Sequence, residues 1–290
     1  LPDQNDLIHI KKHRPYISIN PSYYLYPAIH IYKCITKTFS PPASPLRATD
    51  ISINPSDLAL HKSHPLTSTI RVATKIAMKR IFVTGIGTGV GKTLVSAIIT
   101  EYLQADYWKP IQSGDLDNTD TMTVRRLISN SESVLHEERF RLTQPLSPHA
   151  SAEIDEIEMK LNDFTTPESA KQYLVIEGAG GLMVPINNTT TIADLIKFLD
   201  ASVILVSKNY LGSINHTLLT IQELERREIP ITGLVFNGEC LPQTENFIIN
   251  YSNLPVIFRL DNEATINKKT VQKYTARISK TKLFATNKPL

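Results

Sequence analysis

Glycine is absent from the first 77 residues of this chain; all 11 glycines of its 290 residues fall at Gly85 or later. A globular domain of that size without one glycine would lack its usual turn residue. The same stretch holds 9 of the 18 prolines, and nine basic side chains against four acidic ones. Residues 1–77 are therefore expected to be an unstructured extension, with segments such as Phe39-Ser-Pro-Pro-Ala-Ser-Pro45 in coil or polyproline form. The chain does not begin with Met, and Met78 stands directly before the first convincing strand. The simplest expectation is that Met78 is the native start. A targeting peptide is the rival, disfavoured by Asp3 and Asp6 and by the lack of an Arg-rich amphipathic pattern.

Cysteine is scarce too. Cys34 and Cys240 make neither a disulfide framework nor a Cys-rich zinc site, and the default is a reducing compartment, the cytoplasm. No apolar run is long enough for a membrane helix, so no membrane partner is expected. No excess of charge marks a nucleic-acid binder, with 31 basic and 28 acidic residues.

From Met78 onward the pattern becomes regular. Residues 79–84 read as a short apolar strand, followed by a Gly-rich loop and a helix over 93–103 with apolar residues at Leu94, Val95, Ile98, Ile99 and Leu103. Further strands are expected at 106–109, 173–177, 201–206, 231–237 and 254–258. Helices are expected at 118–128, capped by Asn118 or Thr119, and at 213–227. The region after Ile128 to about Asp163 is less regular, and the basic tail after Ile266 reads as a solvated helix or fray. Alternating strands and helices point to an α/β fold: residues 78–290 as one domain, a mostly parallel sheet covered by helices on both faces. Ligands in such sheets collect at the carboxyl ends of strands, where Thr84, Lys109, Glu177 and Asn237 are expected.

The strongest chemical signal is Gly85-Ile-Gly-Thr-Gly-Val-Gly91-Lys92-Thr93. Counted from Gly85 it is one residue longer than the strict phosphate-binding loop. Its glycines let backbone N–H groups wrap an anion, while the next helix points its positive end at it. Gly87, Thr88, Gly89, Val90 and Gly91 would line the phosphates of ATP, Lys92 would reach the β and γ groups, and Thr93 would hold Mg²⁺. Glu177, before Gly178-Ala-Gly-Gly181, suits a second oxygen ligand for the metal. Asp120 taken alone is an ordinary helix-start carboxylate, and Lys109 taken alone a snorkelling lysine. His149 and Cys240 read as structural or idle.

In order along the chain these motifs resemble the dethiobiotin synthetases. The residues carrying the likeness are Phe82-Val-Thr-Gly85 through Val90-Gly-Lys-Thr93, Trp108-Lys-Pro110 with Ser113-Gly114, Asp120, Ser147-Pro-His149, Glu177-Gly-Ala-Gly-Gly181, Leu211-Gly-Ser-Ile-Asn-His216 and Asn237. The likeness spans residues 78 to about 260. It implies an ATP- and Mg²⁺-dependent ligase in biotin biosynthesis that closes the ureido ring of dethiobiotin from 7,8-diaminopelargonate and CO₂. The path would run through a carbamate and a carbamic–phosphoric anhydride. It implies Lys109 and Lys92 as the catalytic lysines, and Thr93, Asp120 and Glu177 as metal ligands. Asn237 would read adenine, and Ser113 with Gly212, Ser213, Ile214 and Asn215 would bind substrate, the last four across a homodimer with Ser213 as helix cap.

Two departures stand out. Gly89 replaces an acidic residue common in the family, and Phe258, Arg259 and Asp261 replace a Gly-x-x-Pro pattern in the last strand's loop. Two rival readings differ from this one in specific features. A partitioning or septum-site switch ATPase usually carries a second lysine early in the loop, where this chain has Ile86-Gly-Thr-Gly. An amidoligase would need a glutaminase domain with a catalytic cysteine.

Overall fold

The computed structural model describes residues 77–278. The expected extension over 1–77 lies, apart from Ala77, outside the described residues.

Seven parallel strands form the main sheet. In chain order they are β1 (Lys79–Gly85), β2 (Asp106–Trp108), β4 (Leu135–His136), β6 (Tyr173–Gly181), β7 (Ser202–Lys208), β8 (Ile231–Asn237) and β9 (Val256–Leu260). Their spatial order is β4-β2-β6-β1-β7-β8-β9, every neighbouring pair parallel. Two short strands, β3 (Ile111–Ser113) and β5 (Phe140–Leu142), pair in a separate parallel ribbon. β1 is central. The chain leaves it for β2 on one side and later passes from β6 to β7 across it, which makes its carboxyl end the switch point where a crevice opens.

The central strands read as unbroken apolar runs because both faces are covered. Phe82, Leu174, Ile176, Val203, Leu205, Leu234 and Phe236 pack into one core. It also takes in side chains from α3 (Pro148–Ile154), α4 (Ile192–Phe198), α5 (Ser213–Arg226) and α6 (Pro242–Ser252). Their neighbours Ile81, Val83, Val175, Ile204, Val206 and Val235 belong to a second core, shared with α1 (Lys92–Leu103), α2 (Asp120–Leu127) and α7 (Lys268–Thr275). This is the period-two alternation of a strand buried on both sides.

Several expectations shift. The strand expected to end at Glu177 continues to Gly181. Val83 pairs with Glu177 and Gly85 with Gly181, so two extra residues bulge on β6. Glu177 thus lies inside β6, at the point where the ladder breaks. Thr119 caps α2, its side chain accepting from Met122 N–H. The N-cap of α5 is Gly212, with φ 101° and no side-chain cap, so Ser213 is the first helical residue and not the cap. The basic tail is a helix over Lys268–Thr275, one of the two expected forms, but not a solvated one. α7 buries Val271 and Tyr274 completely against α1, because those two apolar residues sit on one face of an otherwise basic helix. Among the described residues no helix is long and apolar enough to cross a membrane.

Candidate active site

β1 delivers the chain into the loop of residues 85–91, and α1 begins at Lys92. Gly91 caps α1 with φ 99°, a left-handed conformation costly for other residues. It also has no room for a side chain, since a Cβ there would collide with the Asn237 amide. That amide, at the end of β8, donates to Val90 O at 2.8 Å and ties the loop to the far half of the sheet. Gly89 stands at φ 70° with open space around it. An acidic side chain there would meet backbone strain but no clash.

Lys92 folds back over the loop, its Nζ 3.1 Å from Gly87 O. Burial, then the nearby Lys109 ammonium, lowers its pKa to about 8. An anion bound in the loop would raise it again.

Thr93, Lys109, Asp120 and Glu177 converge at the head of α1. Thr93 Oγ1 lies 2.8 Å from Asp120 Oδ1 and 2.9 Å from Glu177 Oε1. A hydroxyl has one proton, so it can donate to only one of them at a time. Three oxygens turned toward one another are the donor set of a hard cation such as Mg²⁺, and the residues present fit that group. Lys109, directly after β2, brings its ammonium to 2.6 Å from Asp120 Oδ2, 3.4 Å from Glu177 Oε1 and 3.0 Å from Gly178 O. Gly178 must be small here, because a Cβ would stand 2.7 Å from the Phe82 ring.

Lys109 is 4% exposed and Glu177 1%. Burial opposes the charged form of Lys109, but Glu177 and Asp120 outweigh it and raise its pKa. Asp120 is pushed up by burial and more strongly down by Lys109 and Thr93, for a net lowering. Glu177 is raised by burial, which the Lys109 charge only partly offsets.

Other expected residues fall nearby or apart. Ser113 ends β3 and Ser213 opens α5, and each has a buried hydroxyl without a hydrogen-bond partner. A cavity of about 410 Å³ opens beside the loop, walled by Ile86, Gly87, Thr88, residues 181–185 and the His216, Leu219, Thr220 and Glu223 face of α5. Asn215 is exposed and Ile214 half-buried on the first turn of α5. His149 sits elsewhere, its Nδ1 3.0 Å from Ser147 Oγ, at the wall of a separate cavity of about 370 Å³.

Three side chains have supporting roles that the sequence did not show. Gln112 Oε1 accepts from Asp120 N–H and its Nε2 donates to Gly114 O, fixing the start of α2 against β3. Tyr107 donates to Glu177 Oε2. Arg259 pairs with Glu245 and donates to Gly238 O, bracing the turn after Asn237 where the expected Gly-x-x-Pro pattern is absent. None of the three belongs to a motif; the contacts join segments distant in sequence or, for Gln112, turn on side-chain direction.

A family model described as an AAA domain matches residues 79–270. The chain is 50% identical over 202 residues to the ATP-dependent dethiobiotin synthetase BioD of Christiangramia forsetii, covering 70% of this chain and 97% of that protein. It is 48% identical over 201 residues to the protein of the same name from Cytophaga hutchinsonii, covering 69% and 97%. Among solved structures, a ParA family ATPase from Chlorobium tepidum aligns over 69% of this chain and 98% of its own, at 15% identity and a TM-score of 0.39. With half of its aligned residues shared over nearly the whole length of such relatives, this chain belongs to the ATP-dependent dethiobiotin synthetase family.

Proposed function

We propose that the protein is an ATP-dependent ligase of biotin biosynthesis that makes dethiobiotin from 7,8-diaminopelargonate, CO₂ and ATP, releasing ADP and phosphate. The observation that carries this reading is the Lys109 ammonium, buried at the head of the phosphate loop against Asp120 and Glu177. One substrate amine adds to CO₂ and loses a proton, giving a carbamate. A carbamate oxygen attacks the γ-phosphorus and ADP leaves. The second amine attacks the carbonyl carbon, the ring closes, and phosphate departs.

A carbamate and the γ-phosphate are both anions, so bringing them together needs fixed positive charge in a site shielded from water. Lys109 holds the carbamate. Lys92 and the N–H groups of residues 87–91 hold the phosphates. Thr93, Asp120 and Glu177 would hold Mg²⁺, which when bound neutralises charge on the transferring phosphoryl group. Asn237 reads adenine with the donor and acceptor capacity its bond to Val90 leaves over.

Ser113 contributes its unpartnered hydroxyl to the substrate. Gly212, Ser213, Ile214 and Asn215 at the start of α5 take the tail carboxylate from a second subunit of a homodimer, Ser213 through its hydroxyl because its N–H donates to Tyr210 O. The buried, unpartnered Ser213 hydroxyl and the fully exposed Leu211 beside it support that assignment. The test is to supply diaminopelargonate, bicarbonate and MgATP and look for dethiobiotin by mass spectrometry. ATP hydrolysis that ignores the diamine, with no dethiobiotin formed, would sink the proposal.

A further inference from the structure

Glu177 is buried, and its two carboxylate oxygens have different surroundings. Oε1 faces Thr93 Oγ1 at 2.9 Å and Lys109 Nζ at 3.4 Å. Oε2 faces away from them and accepts one hydrogen bond, 2.9 Å long, from the Tyr107 hydroxyl. Tyr107 is completely buried, in the middle of β2, opposite Val175 on β6. Two residues further along β6, Glu177 shares the face of Val175, which brings the phenol and the carboxylate together.

A buried carboxylate is costly unless its oxygens are satisfied, and a free one turns about its last bond. A donor on Oε2 removes that freedom. It sets the plane of the group and leaves the other oxygen aimed at Thr93, whose hydroxyl also meets Asp120. We infer that Tyr107 is a positioning residue whose hydroxyl holds Glu177 in a one-oxygen presentation toward the cation site formed with Thr93 and Asp120. The inference rests on the metal assignment made above. Its consequence is that Glu177 meets the cation, or a water on it, through Oε1 alone.

Tyr107→Phe removes one oxygen and keeps the ring, so the core packing is retained. With a non-hydrolysable ATP analogue bound, free Mn²⁺ counted by electron paramagnetic resonance gives the ion's affinity directly, with no turnover. The expected result is Mn²⁺ binding weakened by about tenfold, with analogue affinity in EDTA unchanged. Glu177→Gln should weaken Mn²⁺ further. Unaltered Mn²⁺ affinity in Tyr107→Phe, beside a loss in Glu177→Gln, overturns the positioning role and leaves the metal assignment standing. Unaltered affinity in both variants removes the metal site and this inference with it. An equal fall in the analogue's metal-free affinity also overturns it, because that is the mark of general damage to the fold.

Discussion

The Lys109 ammonium lies 2.6 Å from the Asp120 carboxylate, within the group of oxygens best suited to a metal ion. In this structure the lysine serves as the counter-charge for both acids. Lys109→Ala leaves Glu177 buried and uncompensated, and breaking such a pair costs about 3 kcal/mol. The expected outcome is a lower unfolding midpoint for the nucleotide-free protein, partly restored by Mg²⁺. A variant as stable as wild type in denaturant titrations would contradict the pairing.

The two lysines should separate by ligand. Lys92→Ala is expected to lose most affinity for a non-hydrolysable ATP analogue, since it removes the charge over the loop. Lys109→Ala keeps that affinity within a few-fold and loses turnover. Calorimetry on both variants is the check, and equal losses of nucleotide affinity would reject the division of roles.

Asp120→Asn and Glu177→Gln should each raise the Mg²⁺ concentration needed for half-maximal turnover, by about tenfold or more, with little change in shape. Activity assayed across an Mg²⁺ series decides this. Wild-type dependence in both variants would return Asp120 to a helix-start carboxylate and Glu177 to a core one.

Glu223 has its pKa held down to about 2 by Arg226 and Arg227. A carboxylate depressed in the folded state adds stability above its unfolded value of 4.5, and that contribution drains away as pH falls toward 2. Glu223→Gln should therefore be less stable than wild type at about pH 5, with the gap narrowing by about pH 3. Partial exposure makes the effect small and weaker in high salt. Urea midpoints at the two pH values measure it, and a gap that widens on acidification would refute the sign.

Tyr274 on α7 is fully buried against α1, and its hydroxyl meets Glu263 and Asp261. Tyr274→Ala should cost roughly 3 kcal/mol or more, seen as a lower melting temperature. A change near zero would mean that α7 contributes nothing to the core.

Legibility followed the range of the forces involved. The phosphate loop and the strands at 79–84 and 231–237 were readable because a glycine run, an apolar run and a helix start are local patterns. Between Ile128 and Tyr173 the strands are two or three residues long, too short for a period, so β4 and β5 gave no signal. The helix of α7 is legible but its burial is not, because Val271 and Tyr274 are sparse in a basic background. Asp120 and Lys109 looked ordinary alone; only the fold brings them to Glu177. Tyr107 passed as one more apolar strand residue, since its hydroxyl finds its partner 70 positions away.

Gly91 and Asn237, far apart in sequence, meet so closely that a Cβ on residue 91 would strike the Asn237 amide. A side chain at position 91 has nowhere to go while the Asn237 amide is present. Shortening Asn237 makes room, yet it frees the Val90 carbonyl and removes the amide from the end of β8. Gly91 is thus held twice, by the Asn237 amide and by its own φ of 99°, so a change at Asn237 alone does not free it to vary.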